Sequence, residues 1–264
     1  MKKFMADLHV AENVSLNTNY FLLKLWQAER LPEMLPGQFV QVLVEGSSTT
    51  FLRRPISINY VDRDKNQLWL LIQKVGEGTQ KMSELKAGDI VNLMYPLGNT
   101  FTLPSTHKKA DGSEPKILLI GGGVGIAPML FLGSHLKAMN FSVNFLLGAR
   151  SCADLLQLED FDKFGKVYTT TEDGSAGEKG YVSQHSLLKN TDFDFIYTCG
   201  PQAMMHVVAA FAKQRGIFCE VSLENMMACG IGACLCCVEN TTDGHICACT
   251  DGPVINIKKL KWQI

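Results

Sequence analysis

Six of the chain's nine cysteines lie between Cys229 and Cys249, and the first part of that run reads Cys229-Gly-Ile-Gly-Ala-Cys234-Leu-Cys236-Cys237. Cys229, Cys234 and Cys237 give C-x4-C-x2-C, the ligand spacing of plant-type [2Fe–2S] centres. Such a loop must wrap around its metal, and Gly230 and Gly232 let the backbone turn its N–H groups toward sulfur. A two-iron centre takes four thiolates. Three are set by the spacing, and the fourth is Cys247 or Cys249. Two competing readings exist. A four-cysteine zinc site usually shows paired C-x2-C steps, and only one is clear here. A disulfide framework is disfavoured by the odd cysteine count, the length of 264 residues and the crowding into one segment. An iron–sulfur centre passes one electron at a time, so a flavin and a nicotinamide site are expected upstream.

Composition limits the function classes. Apolar residues make up 46% of the chain, enough for a core without covalent staples. A net charge of −1 gives no electrostatic case for nucleic acid. The opening MKKFMADLHVAENVS has no apolar signal-peptide region, so a cytoplasmic location is expected. The uncharged run 117–136 has the length of a membrane span. It contains Gly121, Gly122, Gly123, Gly125 and Pro128, however, and divides into strand, turn and helix. No membrane association is expected.

Residues 1–103 hold short apolar runs at 38–44, 56–60, 67–73 and 89–94, separated by turn signals, the pattern of an antiparallel β-barrel. Residues 104–114 are polar and read as a linker or exposed loop. From Lys116 the texture changes. Strands at 117–120, 141–147, 166–170 and 195–198 alternate with helices at 128–139 and 201–215, which implies a parallel α/β layer. The expected fold class is β plus α/β: an antiparallel barrel (1–103), a parallel-sheet domain (104–218) and a small C-terminal cluster domain (219–264).

Four upstream segments carry chemistry. In Phe51-Leu-Arg-Arg-Pro-Ile-Ser57, Arg54 is suited to bridging phosphate oxygens and Ser57 to meeting a flavin ring atom. A charged strand edge is the competing reading. Val75-Gly-Glu-Gly-Thr79 offers backbone N–H groups and the Thr79 hydroxyl to an anion, or is a hairpin turn. Two anion-suited segments fit the pyrophosphate of FAD better than the single phosphate of FMN. Ile120-Gly-Gly-Gly-Val-Gly-Ile-Ala-Pro128 runs strand, glycine turn, helix, so Gly122, Gly123 and Gly125 are candidates for a dinucleotide phosphate. Thr198-Cys-Gly-Pro201 sits at the end of a parallel strand, where ligands bind. That makes Gly200 and Pro201 cofactor candidates and puts Cys199 near a nicotinamide ring. Met94-Tyr-Pro-Leu-Gly-Asn99 reads as a structural turn.

Taken in order, R-R-P-I-S, G-E-G-T, P-L-G-N, G-G-G-V-G-I-A-P, C-G-P and C-x4-C-x2-C resemble the ferredoxin–NADP reductase superfamily with an iron–sulfur tail. Within it, the chain is similar to the electron-transfer subunits of two-subunit, NAD-dependent dihydroorotate dehydrogenases. The stretches 226–238 and 249–255 carry the resemblance furthest. It implies Cys249 as the fourth ligand, because the last ligand in that family precedes a Gly-Pro-Val segment by this offset. It also implies FAD on Arg54, Pro55, Ile56, Ser57, Gly78 and Thr79, with Leu71, Ile72 and Gln73 on the strand between.

The resemblance implies a working direction. Dihydroorotate reduces an FMN in a separate catalytic subunit, single electrons cross the [2Fe–2S] centre, FAD collects two, and NAD(H) carries them away. No side chain need act as acid or base. The implied partner is the FMN-containing catalytic subunit, in a heterotetramer with two copies of each. NAD(H) comes from the resemblance. The residues leave it open, since Arg150 suits a 2′-phosphate and Asp154 opposes one. The alternatives are the flavin/iron–sulfur subunit of a ferredoxin:NADP oxidoreductase or of a sulfide dehydrogenase, and, in another class, a non-enzymatic zinc-binding module.

Overall fold

The computed structural model describes residues 2–105, 109 and 112–262. Within the expected linker, positions 106–108 and 110–111 lie outside the described residues. The chain forms two compact units. One comprises Met1–Thr100, Asn225–Glu239 and His245–Pro253; the other comprises Phe101–Glu224, Asn240–Gly244 and Val254–Ile264.

The first unit is built on β1 (Phe4–Ser15), β2 (Tyr20–Trp26), β3 (Phe39–Val42), β4 (Arg54–Ser57), β5 (Tyr60–Asp62), β6 (Gln67–Gln73), the short helix α1 (Glu77–Ser83) and β7 (Ile90–Leu97). The strands form one sheet in the order β4-β3-β7-β1-β2-β6-β5, antiparallel throughout. Edge strand β4 also touches β6, so the sheet rolls up as the expected barrel. Period-two side chains fill its inside: Leu8 and Val10, Leu23 and Leu25, Leu68 and Leu70 are each at most 1% exposed. Each such side chain contributes about 1.5–3 kcal/mol on burial.

The run 56–60, expected as one strand, is divided. Ile58 and Asn59 are wholly buried between β4 and β5, and each end pairs with a different neighbour. Two strands, β1 and β2, were not among the sequence expectations. β1 buries only two of its twelve positions. β2 is a nearly continuous buried run without alternation.

The second unit runs β8 (Ile117–Gly122), α2 (Ile126–Ala138), β9 (Val143–Ala149), α3 (Leu158–Asp162), β10 (Lys166–Thr171), β11 (Glu178–Lys179), α4 (Ser186–Asn190), β12 (Phe195–Cys199), α5 (Gln202–Gln214) and β13 (Phe218–Ser222). A separate hairpin, β14 (Val238–Thr241) and β15 (Gly244–Cys247), precedes β16 (Val254–Asn256). The sheet order is β11-β10-β9-β8-β12-β13-β16, parallel except for β16 against β13. From β8 the order runs outward through β9 on one side and β12 on the other. The crevice beyond the ends of β8 and β12 is therefore the topological switch point, where open α/β sheets bind ligands.

Helix α2 lies close on β9 because Gly133 has no side chain: a Cβ there would stand 2.2 Å from Phe145 Cζ. The run 117–136 is strand, turn and helix, and no helix among the described residues is long and apolar enough to cross a membrane.

Candidate functional site

The cysteine loop belongs to the first unit and is anchored on its sheet. Phe39, Leu97, Met227, Cys237, Ala248 and Cys249 form one buried cluster, with Met94 and Cys247 packed against it. The turn after β7 fastens the far end. Asn99 donates its backbone N–H to the Gly252 carbonyl (2.6 Å) and its side-chain amide to the Asp251 carbonyl (2.8 Å). Gly98, at φ +79, allows this approach, since a Cβ would stand 2.6 Å from Pro253 Cδ. The Pro-Leu-Gly-Asn turn is thus the clamp on the last cysteine segment, a role its sequence did not reveal.

Gly230 (φ +70) and Gly232 (φ +83) coil the loop, and Leu235 (φ +59) adds a left-handed residue that is not glycine. The coil aims backbone N–H groups at sulfur. Ile231, Ala233 and Cys234 donate to Cys229 Sγ at 3.5, 3.3 and 3.4 Å. Gly232 donates to Cys249 Sγ at 3.2 Å, and Cys249 to Cys237 Sγ at 3.4 Å. Donors led by the Ile231 N–H pull the Cys229 thiol down to about 6. Burial pushes Cys249 up to about 12, a cost that metal coordination, which deprotonates a thiol outright, would remove. Cys234 and Cys236 are exposed, and Cys247 is half-buried with its N–H on Asp251 (2.8 Å). All nine cysteines are free thiols.

Soft thiols wrapped in N–H donors suit an iron–sulfur cluster, whose potential is set partly by hydrogen bonds to sulfur. Among the described residues, no group of three or more His, Cys, Asp or Glu side chains stands as a site for a single metal ion. A two-iron cluster divides its thiolates between two metals and does not ask for that convergence.

The flavin candidates lie in the same unit. Arg54, Pro55, Ile56 and Ser57 make up β4 and are all half-buried. Arg53 is committed to the fold, donating to the backbone carbonyls of Gln41 (3.3 Å) and Asn92 (3.1 Å). Arg54 donates through Nε to the Arg53 carbonyl (3.3 Å).

Gly76 caps α1, so Val75-Gly-Glu-Gly-Thr79 opens a helix and is not a hairpin turn. The Thr79 hydroxyl is used within that loop: it accepts from the N–H groups of Val75 (2.9 Å) and Gly76 (3.2 Å) and donates to the Gly76 carbonyl. Gly78 packs on Thr50, where a Cβ would meet Thr50 Cγ2 at 2.9 Å. Leu71 and Ile72 are core residues of β6, and Gln73, at its end, is half-buried.

In the second unit the two glycine motifs converge. β8 and β12 pair so that Cys199 lies opposite Gly121. A Cβ on Gly125 would stand 2.5 Å from the Cys199 carbonyl and the Gly200 Cα. One on Gly200 (φ +147) would meet the Gly122 carbonyl at 2.9 Å, and one on Gly122 the Pro201 ring at 3.2 Å. Gly123 adopts φ +56 in the turn before α2. Gly122, Gly125, Gly200 and Pro201 therefore meet in one tight glycine cradle at the switch point, next to Gly123. Cys199 is 1% exposed and its thiol faces the Glu224 carboxylate at 3.8 Å. Burial first, and Glu224 second, raise it well above the thiol range. Arg150 is exposed just past β9, and Asp154 is half-buried.

Comparison with known proteins finds three family matches along the chain. Residues 5–101 match the oxidoreductase FAD-binding domain family, residues 119–210 the oxidoreductase NAD-binding domain family, and residues 224–261 the iron–sulfur cluster binding domain of dihydroorotate dehydrogenase B. The chain is 37% identical over 262 residues to the dihydroorotate dehydrogenase B (NAD(+)) electron transfer subunit of Shouchella clausii, covering 97% of this chain and 98% of that one. It is 36% identical to the subunit of the same name from Lysinibacillus sphaericus, over 94% and 95%. Among solved structures it resembles an NADH-dependent reduced ferredoxin-NADP oxidoreductase of flavin-based electron bifurcation, at TM-score 0.85 and 27% identity, over 97% of this chain and 90% of that chain. An oxidoreductase chain with FAD-, NAD- and iron–sulfur-binding domains, it belongs to the family of dihydroorotate dehydrogenase B (NAD(+)) electron transfer subunits.

Proposed function

We propose that this chain carries electrons from the FMN-containing catalytic subunit of a dihydroorotate dehydrogenase to NAD+, a step of pyrimidine biosynthesis. Cys229, Cys234, Cys237 and Cys249 hold a [2Fe–2S] cluster in the functional segment 219–264. FAD occupies 1–103, with Arg54–Ser57 and Gly78-Thr79 at its polar groups and residues 71–73 beside it. NAD(H) occupies 104–218 at Gly122, Gly123, Gly125, Gly200 and Pro201, with Cys199 next to the ring. The observation that carries the reading is the buried contact of Cys237 and Cys249 with Phe39 and Leu97. It seats the thiol loop on the very sheet that matches the FAD-binding family.

When bound, the cluster supplies one-electron and the flavin two-electron chemistry. The chain's own residues bind and orient. The N–H groups of residues 231–234 offset negative charge on sulfur. Arg54 neutralises phosphate. The glycine cradle brings backbone to the dinucleotide. Cys199 stays a neutral, buried thiol and excludes water. Dihydroorotate is taken up by the catalytic partner, in a heterotetramer with two copies of each. Nine free thiols suit a reducing compartment, which supports the cytoplasm.

The test is to express the chain alone and with the catalytic subunit and follow dihydroorotate-dependent NAD+ reduction. Activity is expected only from the pair. Activity from the chain alone, or none from a pair with full FAD, FMN and iron, overturns the reading. The likeness to the ferredoxin-NADP oxidoreductase keeps a second reading in view. With an artificial acceptor, kcat/KM should favour NADH, and a preference for NADPH would move the chain to that reading.

A further inference from the structure

Among the described residues of the first unit, Gln41 is the one with buried side-chain polar atoms that lack a hydrogen-bond partner. It is 0% exposed, yet neither Nε2 nor Oε1 has a hydrogen-bond partner. A buried amide without partners costs about 1–3 kcal/mol, and a fold keeps one where a group outside the polypeptide completes it. Its backbone, by contrast, is provided for. Pro55 stands opposite it on β4 and has no N–H, and Arg53 Nη1 donates to the Gln41 carbonyl instead, at 3.3 Å.

Two independent observations say what the amide faces. A Cβ on Gly230 would stand 2.7 Å from Gln41 Cγ and 2.8 Å from Nε2, so the amide lies directly against the residue after Cys229. β3 pairs regularly with β4 through this stretch, so Gln41 shares a face with Phe39. Phe39 packs on Cys237, Cys249 and Ala248, and Met94, the partner of Gln41 on β7, packs on the same cluster. Backbone N–H groups donate to Cys229 sulfur from residues 231, 233 and 234. Position 230 offers no such contact, and there the side chain of β3 closes in.

We propose that the Gln41 side-chain amide donates a hydrogen bond to sulfur of the iron–sulfur cluster on its Cys229 side, raising the potential at which that cluster accepts an electron. The inference rests on the ligand set proposed above. Gln41 is a tuning residue, acting on a cluster it does not ligate. Reduction adds negative charge to the sulfurs, so a donor stabilises the reduced form more than the oxidised one.

The test uses the purified subunit with FAD and cluster. Gln41→Leu and Gln41→Met remove the donor and keep an apolar side chain of similar reach. Iron and sulfide per chain are measured first, then the midpoint potential by EPR-monitored titration. Both variants should keep iron and be reduced about tenfold less readily at a given potential, a fall of ~59 mV for one electron. In wild type labelled with side-chain 15N-glutamine, pulsed EPR of the reduced cluster should detect one weakly coupled nitrogen, lost in Gln41→Leu. Full iron with an unmoved midpoint, a shift confined to the flavin couple, or no nitrogen coupling in wild type would each overturn the contact. If neither variant keeps iron, the wild-type coupling decides. A wild-type protein that binds no iron defeats the ligand assignment itself, a separate failure.

Discussion

At the scale of single residues, the thiols of the loop are not equivalent. Cys237 and Cys249 are buried beneath the loop, while Cys236 is exposed and Cys247 is held by Asp251. Serine at 229, 234, 237 or 249 should cut iron and sulfide to a small fraction of wild type. Serine at 152, 199 or 219 should leave them full. Iron and sulfide analysis of all nine variants checks this, and full content after loss of Cys234 or Cys249 would defeat the ligand set. Arg54→Ala should loosen FAD by ~1.5–3 kcal/mol, the worth of a charge-assisted hydrogen bond. Flavin retained through dialysis reports it, and unchanged retention would return β4 to a plain strand edge. Much of this was legible, because ligand spacing and charge are local properties. Gln41 was not: inside Phe-Val-Gln-Val it looks like the polar beat of a half-exposed strand, yet all four residues are buried. Met227, next to the exposed Met226, packs inward on Phe39 and Leu97.

At the scale of elements, α4 depends on a titratable cap. His185 Nδ1 accepts the Leu187 N–H at 3.0 Å, and the ring is 6% exposed. Burial lowers its proton affinity below the ordinary 6.5, against a smaller opposing pull from Glu178. The unfolded chain therefore binds the proton more readily. The cap's contribution is present above about pH 6.5 and is lost as pH falls below it through the folded value. His185→Asn keeps a cap and removes the titration. Urea unfolding of holoprotein at pH 7.5 and 5.5 should show wild type losing stability relative to the variant on acidification, by ~1 kcal/mol, the worth of one cap. A pH-independent difference would refute the coupling. The strand-turn-helix at 117–136 could be read in sequence because glycines punctuate it. The helix at Glu77–Ser83 could not, because Gly-Glu-Gly-Thr carries the composition of a turn and its helix is stabilised by tertiary ties. Glu77 accepts from Ser47 (2.8 Å), from the Ser48 N–H (3.2 Å) and from Thr49, all distant in sequence.

At the scale of the molecule, the texture of the sequence separates a barrel from a parallel layer but hides the return paths. Periodicity records whether a segment is a strand, not which sheet it rejoins, so β16 pairing with β13 and the clamp of Asn99 on residues 251–252 emerge only in three dimensions. The same loop that turns Cys237 and Cys249 inward turns apolar side chains outward: Met226 is 82% exposed, Leu235 63% and Ile231 45%. Large apolar groups around a redox loop fit a protein contact better than open solvent, and the proposed electron path requires the catalytic subunit to approach this segment. The double variant Met226→Asp with Leu235→Asn tests it, since Asn accepts the left-handed backbone that Leu235 adopts at φ +59. Iron, FAD and NADH oxidation by an artificial acceptor should remain at wild-type levels. Binding of the catalytic subunit should weaken more than tenfold, as for loss of a contact worth ~2 kcal/mol, and dihydroorotate-dependent NAD+ reduction at limiting subunit should fall with it. Ile90→Asp, at an exposed apolar position outside the cysteine segment, should change neither. Undiminished association of the double variant, measured by titration calorimetry, would mean that the partner docks elsewhere.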